Sequence, residues 1–202
     1  MLEEVDFEKD VGVILHKSFR PSLHCAKAAK KANSVLGQLC RGVSYRDKDT
    51  FMSLYTTFVR PHLEYCAQAW SPWNLGDKDV IESKNYEERL VEMNMVTIEE
   101  RRKRGDLIQM YKVLYGKDDV STSSWFDMAL PGAGASSTRY TTGALNVQRK
   151  EGRTELRKNF WSVRSCDVWN NLPDQVKLQP TTDLFKNALD NIMTRKQIGE
   201  SF

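Results

Sequence analysis

The apolar positions of this chain recur at helical spacing over most of its length, after one strand-like stretch near the start. "DVGVIL", Asp10 to Leu15, is short, β-branched and apolar, and it predicts a strand. Gly12 in its middle points to a bulge or a close backbone approach. Pro21 and Ser22 open a helix that runs to about Arg41, with Cys25/Ala26, Ala29, Ala32, Leu36 and Leu39/Cys40 on its apolar side. Lys27, Lys30, Lys31, Gln38 and Arg41 keep the same period on another face, so a cationic row faces outward while small alanines allow close packing. Gly42 is the stop signal.

The Asp47–Thr50 start predicts a second helix. Phe51, Leu54, Tyr55, Phe58, Val59, His62, Leu63, Cys66, Ala69 and Trp70 form its single apolar stripe. Pro61 has no N–H and its ring crowds the Thr57 carbonyl, so a kink is predicted there. "SPWNLGDKD", Ser71 to Asp79, reads as a loop, and "NYEERLVEMNM", Asn85 to Met95, as a short helix. Thr97 with Glu100 is a capping box for the next helix, which buries Ile98, Leu107, Ile108, Tyr111, Leu114 and Tyr115 and ends at Gly116. From Lys117 to Gly152 the chain turns to Gly, Ser, Thr and Asp; "PGAGASSTRYTTG" is its least structured part, a linker or a mobile loop. A helical segment follows with Val163, Cys166 or Asp167, Val168/Trp169 and Leu172, and it stops at Pro173. Thr181 or Thr182 caps a last helix carrying Leu184, Phe185, Ala188, Leu189, Ile192 and Met193. The fold class is mainly α, with a short N-terminal β-strand or hairpin ahead of the helices.

At 202 residues the chain fits one domain or one and a half, enough to bury a core without disulfides or metals. No apolar run approaches the ~20 residues of a membrane helix. The acidic start "MLEEVDFEKD" is neither a secretory signal nor a transit peptide. An intracellular protein of nucleus or cytoplasm, without membrane contact, is expected. Cys25, Cys40, Cys66 and Cys166 form no C-x-x-C pair and sit among apolar neighbours, which predicts buried reduced thiols.

The net charge of +3 says less than its distribution. Val11 to Arg46 holds seven basic residues, Lys17, Arg20, Lys27, Lys30, Lys31, Arg41 and Arg46, and no acid. Arg139 to Arg164 holds seven more against Glu151 and Glu155. The two stretches are candidates for one electropositive surface.

Other candidate chemistry weakens on inspection. His62 and Cys66 have the i, i+4 spacing of two metal ligands, but no second pair completes a site, and a Cys–His nucleophile needs a polar pocket rather than a stripe of Phe, Leu and Trp. His62 is expected to find a structural partner, such as Glu64 or Tyr65. His24 and Cys25 are adjacent on a helix and point apart. Asp118 and Asp119 follow a helix-ending glycine and read as a solvated loop, not as a metal-binding pair. No P-loop, G-x-S-x-G, H-E-x-x-H or dinucleotide fingerprint occurs, and no cofactor is expected. "RRKR", Arg101 to Arg104, reads as a solvated helix face paired with Glu99, Glu100 and Asp106. The Lys27/Lys30/Lys31 row has no nearby acids, and phosphate is its natural partner.

"EKDVGVIL", "CAKAAKKANSVLGQLCRGVSYRDKDTFMSLYTTFVRPHLEYCAQAWSPW", "YEERL", "TIEERRKRGDLIQMYKVLYG" and "RKNFWSVRSCDVWNNLP…FKNALD" occur in this order. Together they resemble the C-terminal part of the polymerase polyprotein of jockey-like LINE retrotransposons, from Glu8 to Asp190. The resemblance implies a primer-grip-like strand segment over 1–19, with Val11, Gly12 and Val13 along the primer strand. It implies a thumb-like helical domain over 20–116, a flexible loop or linker over 117–152 and a C-terminal helical region over 153–202. Lys27, Lys30, Lys31 and Arg41 would then contact the phosphates of a template–primer duplex, RNA or DNA, without reading sequence.

Two departures from that family stand out. No Y-x-D-D-type hairpin and no upstream metal-binding aspartate precede Met1, so the chain is expected to be non-catalytic. Between Ile81 and Asn85 the sequence jumps across a basic helical turn or more that relatives usually carry, which shortens the thumb's far side. The alternatives are a protein-interaction module, docking on a separate palm or on itself, and a non-functional retrotransposon relic.

Overall fold

The computed structural model describes residues 5–44, 47–81, 95–129 and 144–197. The predicted helix Asn85–Met95, Arg46, Arg139, the Ile81–Asn85 junction and all of "PGAGASSTRYTTG" lie wholly or largely outside these residues. The chain divides into two compact units, Met1–Arg102 and Lys103–Phe202. Among the described residues it is mainly α, with two small antiparallel strand pairs.

In the first unit, β1 (Phe7–Asp10) and β2 (Val13–His16) form a hairpin with Asp10 opposite Val13 and Phe7 opposite His16. The single strand predicted over Asp10–Leu15 is therefore two strands joined by a two-residue turn. Val11 and Gly12 make that turn with φ of 43° and 87°. Two positive φ values are what lets a two-residue turn match the twist of its strands. Gly12 takes this at no steric cost, whereas the β-branched Val11 is strained.

The long helix α1 (Ser22–Gly42) buries His24, Cys25, Ala28, Ala29 and Ala32. Its small side chains admit close neighbours, and Cys25 and Ala28 pack with Val13 and Trp70. Farther along, Ala32 packs with Val59, Leu63 and Ile98.

The helix predicted over Asp47–Trp70 is interrupted twice. It begins as predicted, with the Asp47 carboxylate accepting the Thr50 N–H at 3.0 Å ahead of α2 (Lys48–Leu54). A π-turn follows over Tyr55–Val59, and the Arg60 N–H reaches back five residues to the Tyr55 carbonyl. Pro61 begins the next helix, α3 (Pro61–Glu64). The distortion sits at the proline, as predicted, and takes the form of a widened turn that makes room for its ring. The second break was not predicted. Tyr65 leaves the helical region, with ψ 124°, and Cys66 is left-handed, at φ 54°, before α4 (Ala67–Trp70). The Tyr65 carbonyl, freed by that break, accepts the Trp70 indole N–H at 2.6 Å. With the face rotated by the two breaks, Val59, Leu63, Ala67 and Trp70 are buried while Phe58 is exposed.

The stretch predicted as a loop over Ser71–Asp79 contains most of helix α5 (Leu75–Ile81). Asn74 caps it: its carbonyl accepts the Asp77 N–H at 2.7 Å, and its amide donates to the Asp77 carboxylate at 2.6 Å. Ser22 Oγ donates to the same carboxylate at 2.9 Å, so the buried Asp77 ties α5 to the start of α1. Helix α6 (Ile98–Leu114) starts with the predicted capping box. Thr97 Oγ1 accepts the Glu100 N–H at 3.1 Å, and the Glu100 carboxylate accepts from Thr97.

In the second unit, α6 ends at Gly116, which is left-handed at φ 61°, and the Lys117 N–H caps the Lys112 carbonyl at 2.7 Å. The turn-rich stretch that follows still carries α7 (Thr122–Trp125) and the strand pair β3 (Asp127–Met128) and β4 (Val147–Gln148). Phe126 and Val147 there are buried. Helices α8 (Glu155–Lys158), α9 (Trp161–Asn170), α10 (Asp174–Lys177) and α11 (Thr182–Gln197) complete the unit. One core joins Leu107, Met110, Tyr111 and Leu114 of α6 to Trp161, Cys166 and Trp169 of α9 and to Phe185 and Leu189 of α11. Tyr111 stacks on Phe185 with ring centroids 4.4 Å apart. Burying a side chain such as Phe185, which is 0% exposed, is worth about 1.5–3 kcal/mol.

Candidate nucleic-acid interface

The cationic row lies where the helical period puts it. Lys27, Lys30, Lys31 and Arg41 are all exposed on α1, opposite the face that carries Cys25, Ala28, Ala29 and Ala32. At 100° per residue they fall within a stripe about 100° wide, and at 1.5 Å per residue Lys27 to Arg41 spans about 21 Å. Among the described residues no ion pair engages any of the four. The helix beneath them is fixed by its buried face, so the charges sit on a rigid support and not on a loop.

Val11, Gly12 and Val13 have three different surroundings. Val11 is 74% exposed at the apex of the hairpin. Its carbonyl accepts the Tyr65 hydroxyl at 3.0 Å. A Cβ built on Gly12 would lie 3.5 Å from the Tyr65 ring, so the close approach expected of this glycine is made by a side chain of the same unit. Val13 is buried against Cys25, Ala28 and Trp70 and belongs to the core.

The other basic clusters have partners within the chain. In the Arg101–Arg104 run, Arg101 makes a forked pair with Glu64, which also meets Arg60 at 3.4 Å. Arg102 is 5% exposed, donates twice to the Leu63 carbonyl and lies 5.0 Å from the centroid of the Trp70 ring. Arg104 makes a forked pair with Asp190. This corrects the prediction of a solvated face: the partners come from other elements, and Asp106 binds Arg164 instead. In the second basic enrichment, Arg149 pairs with Asp167, Lys150 with Asp127, Lys158 with Glu155 and Arg164 with Asp106. Arg157 lies 5.5 Å from the centroid of Phe160.

The thiols and imidazoles are largely structural. All four cysteines are free; Cys25 and Cys166 are buried, but Cys40, in the last turn of α1, is exposed, against the prediction. Burial, reinforced by Asp77, pushes the Cys25 thiol up to about 12, and burial also raises Cys166, so neither is a ready nucleophile. His62 makes no hydrogen bond among the described residues; the Glu64 expected as its partner is taken by Arg101 and Arg60. Asp118 accepts from Gln109 at 2.7 Å and meets Lys112 at 3.6 Å. No group of three or more His, Cys, Asp or Glu among the described residues could hold a metal ion, and no described helix is long and apolar enough to cross a membrane.

No family model, no curated protein and no solved structure matches this chain.

Proposed function

We propose that this chain is a non-catalytic fragment of a LINE-type RNA-directed DNA polymerase that binds template–primer duplex through its phosphates, without sequence preference. The observation that carries the proposal is the row of Lys27, Lys30, Lys31 and Arg41, exposed on one face of a 21-residue helix and free of ion pairs among the described residues. A rigid cationic stripe of this kind follows a polyanion and supplies no donors aimed at base edges. No Y-x-D-D-type motif occurs in the sequence, and the proposed role does not include nucleotide addition.

The test is fluorescence anisotropy with an RNA–DNA duplex over a salt series. If each of the four cations meets one phosphate, log affinity falls against log salt with a slope of about −3.6. Affinity then drops about 100-fold between roughly 50 and 200 mM salt. Changing Lys27, Lys30 and Lys31 together to Ala leaves a slope of about −0.9. Absence of binding at low salt would end the proposal.

A second reading, a protein-interaction module, draws on Phe7, Val11, Phe19 and Leu23, which are 60%, 74%, 67% and 46% exposed. The edge of β1 argues against self-pairing. The Lys17 N–H bonds Asp6 and the Ile14 N–H is taken by His24, so the outward backbone groups of β1 belong to Phe7 and Lys9. Antiparallel pairing of two copies through that edge sets even positions opposite even ones. Those positions are Asp6, Glu8 and Asp10, and like charges directly opposite are destabilising. Dimers that survive high salt, detected by sedimentation, would favour this second reading.

A further inference from the structure

His24 stands apart from the cationic row on the same helix. It is 5% exposed, its ring lies 4.6 Å from that of Trp70, and its Nδ1 accepts the Ile14 N–H at 3.1 Å. This bond occupies the outer edge of β2, while the inner edge pairs with β1. Two contacts of this kind tie the hairpin to the helices: His24 holds β2, and the Tyr65 hydroxyl holds the turn at Val11.

We propose that His24 is an acid-sensitive latch holding the β1–β2 hairpin on α1, released when its Nδ1 takes a proton. The chemistry is a competition for one lone pair. Nδ1 accepts the Ile14 N–H only while it is unprotonated; a proton from solvent on that nitrogen turns the acceptor into a second donor facing the first. The Ile14 N–H is then left without its partner, and the buried imidazolium gains none.

The charged groups on the surrounding elements do not rescue it. Lys27 lies one turn along α1, Lys9 stands opposite Ile14 on β1, and Arg102 lies over the ring of Trp70. All three are cations. Asp77 of α5 is engaged by Ser22 and Asn74. Burial first, and Lys27 second, lower the pKa of His24 from its ordinary value of 6.5. The unfolded or undocked chain therefore binds the proton more readily than the docked one. The stability supplied by this contact is complete above 6.5 and is lost as the pH falls below it.

The test is amide hydrogen exchange and NMR on the full chain, corrected for intrinsic exchange. Protection at the Ile14 amide falls as the pH drops below 6.5, by up to about fivefold at pH ~5.5, the most that one proton imposes. The variant His24→Asn keeps an acceptor at the position of Nδ1 and cannot titrate; there the dependence disappears while the hairpin stays docked. His16 contacts Ser18, whose amide reports on that ring separately. Should His24→Asn fail to fold, the native chain decides alone. An Ile14 amide whose protection falls below pH 6.5 and levels off where the His24 ring takes its proton supports the latch. An Ile14 amide that ignores the ring's titration, or the same slope in His24→Asn, overturns it.

Discussion

The two basic stretches of this chain hold seven cations each and differ in what their charges do. Between Arg149 and Arg164 four of the six cations, Arg149, Lys150, Lys158 and Arg164, meet Asp167, Asp127, Glu155 and Asp106. On α1, Lys27, Lys30, Lys31 and Arg41 meet no acid among the described residues. Cations that neutralise carboxylates within their own unit build the fold and have little charge left for a ligand. Cations held outward by a helix whose other face is buried contribute nothing to the fold and remain available. The comparison teaches that a count of lysines and arginines locates candidates, and that pairing decides between them.

Charge removal breaks or sharpens this contrast. The largest effect is expected at Arg164, whose guanidinium forks onto Asp106, a carboxylate only 4% exposed. Arg164→Ala removes the forked guanidinium from that buried carboxylate and costs about 3–5 kcal/mol in urea unfolding. An unchanged midpoint would contradict the pairing. Arg102→Ala comes next. It leaves the Leu63 carbonyl without its two donors and bares one side of Trp70, for about 1–3 kcal/mol in the same measurement. Arg149→Ala should cost under about 1 kcal/mol, since that pair with Asp167 is half exposed and screened by water. The smallest change belongs to the triple replacement of Lys27, Lys30 and Lys31 by Ala, within about 0.5 kcal/mol of the native chain in thermal or urea unfolding. A large destabilisation there would mean that the row is structural after all.

What could be read from the sequence follows from how local each signal is. The α1 helix, its cationic row, the Asp47 cap, the Thr97–Glu100 capping box and the glycine stop at Gly116 depend on residues within one or two turns, and all lie where their spacing puts them. The hairpin was only half legible: Gly12 signalled a special backbone position, but Val11 is a poor turn residue and disguised the turn as the middle of a strand. The break at Cys66 carries no glycine or proline, and its left-handed backbone is tied down by the Trp70 indole bonding across it. Helix α5 was missed because Ser71, Pro72 and Asn74 look like loop residues, when Asn74 is in fact its cap. The partners of Arg101, Arg104 and Arg164 lie 37, 86 and 58 positions away, beyond any local pattern. That the row carries no ion pair was legible because no acid occurs between Val11 and Arg46.

The most direct measurement is the salt dependence of duplex binding by the native chain beside its Lys27→Ala/Lys30→Ala/Lys31→Ala variant, with unfolding curves of both. The account predicts matching stability, a native slope near −3.6 and a variant slope near −0.9. Equal slopes in two equally folded proteins would contradict it.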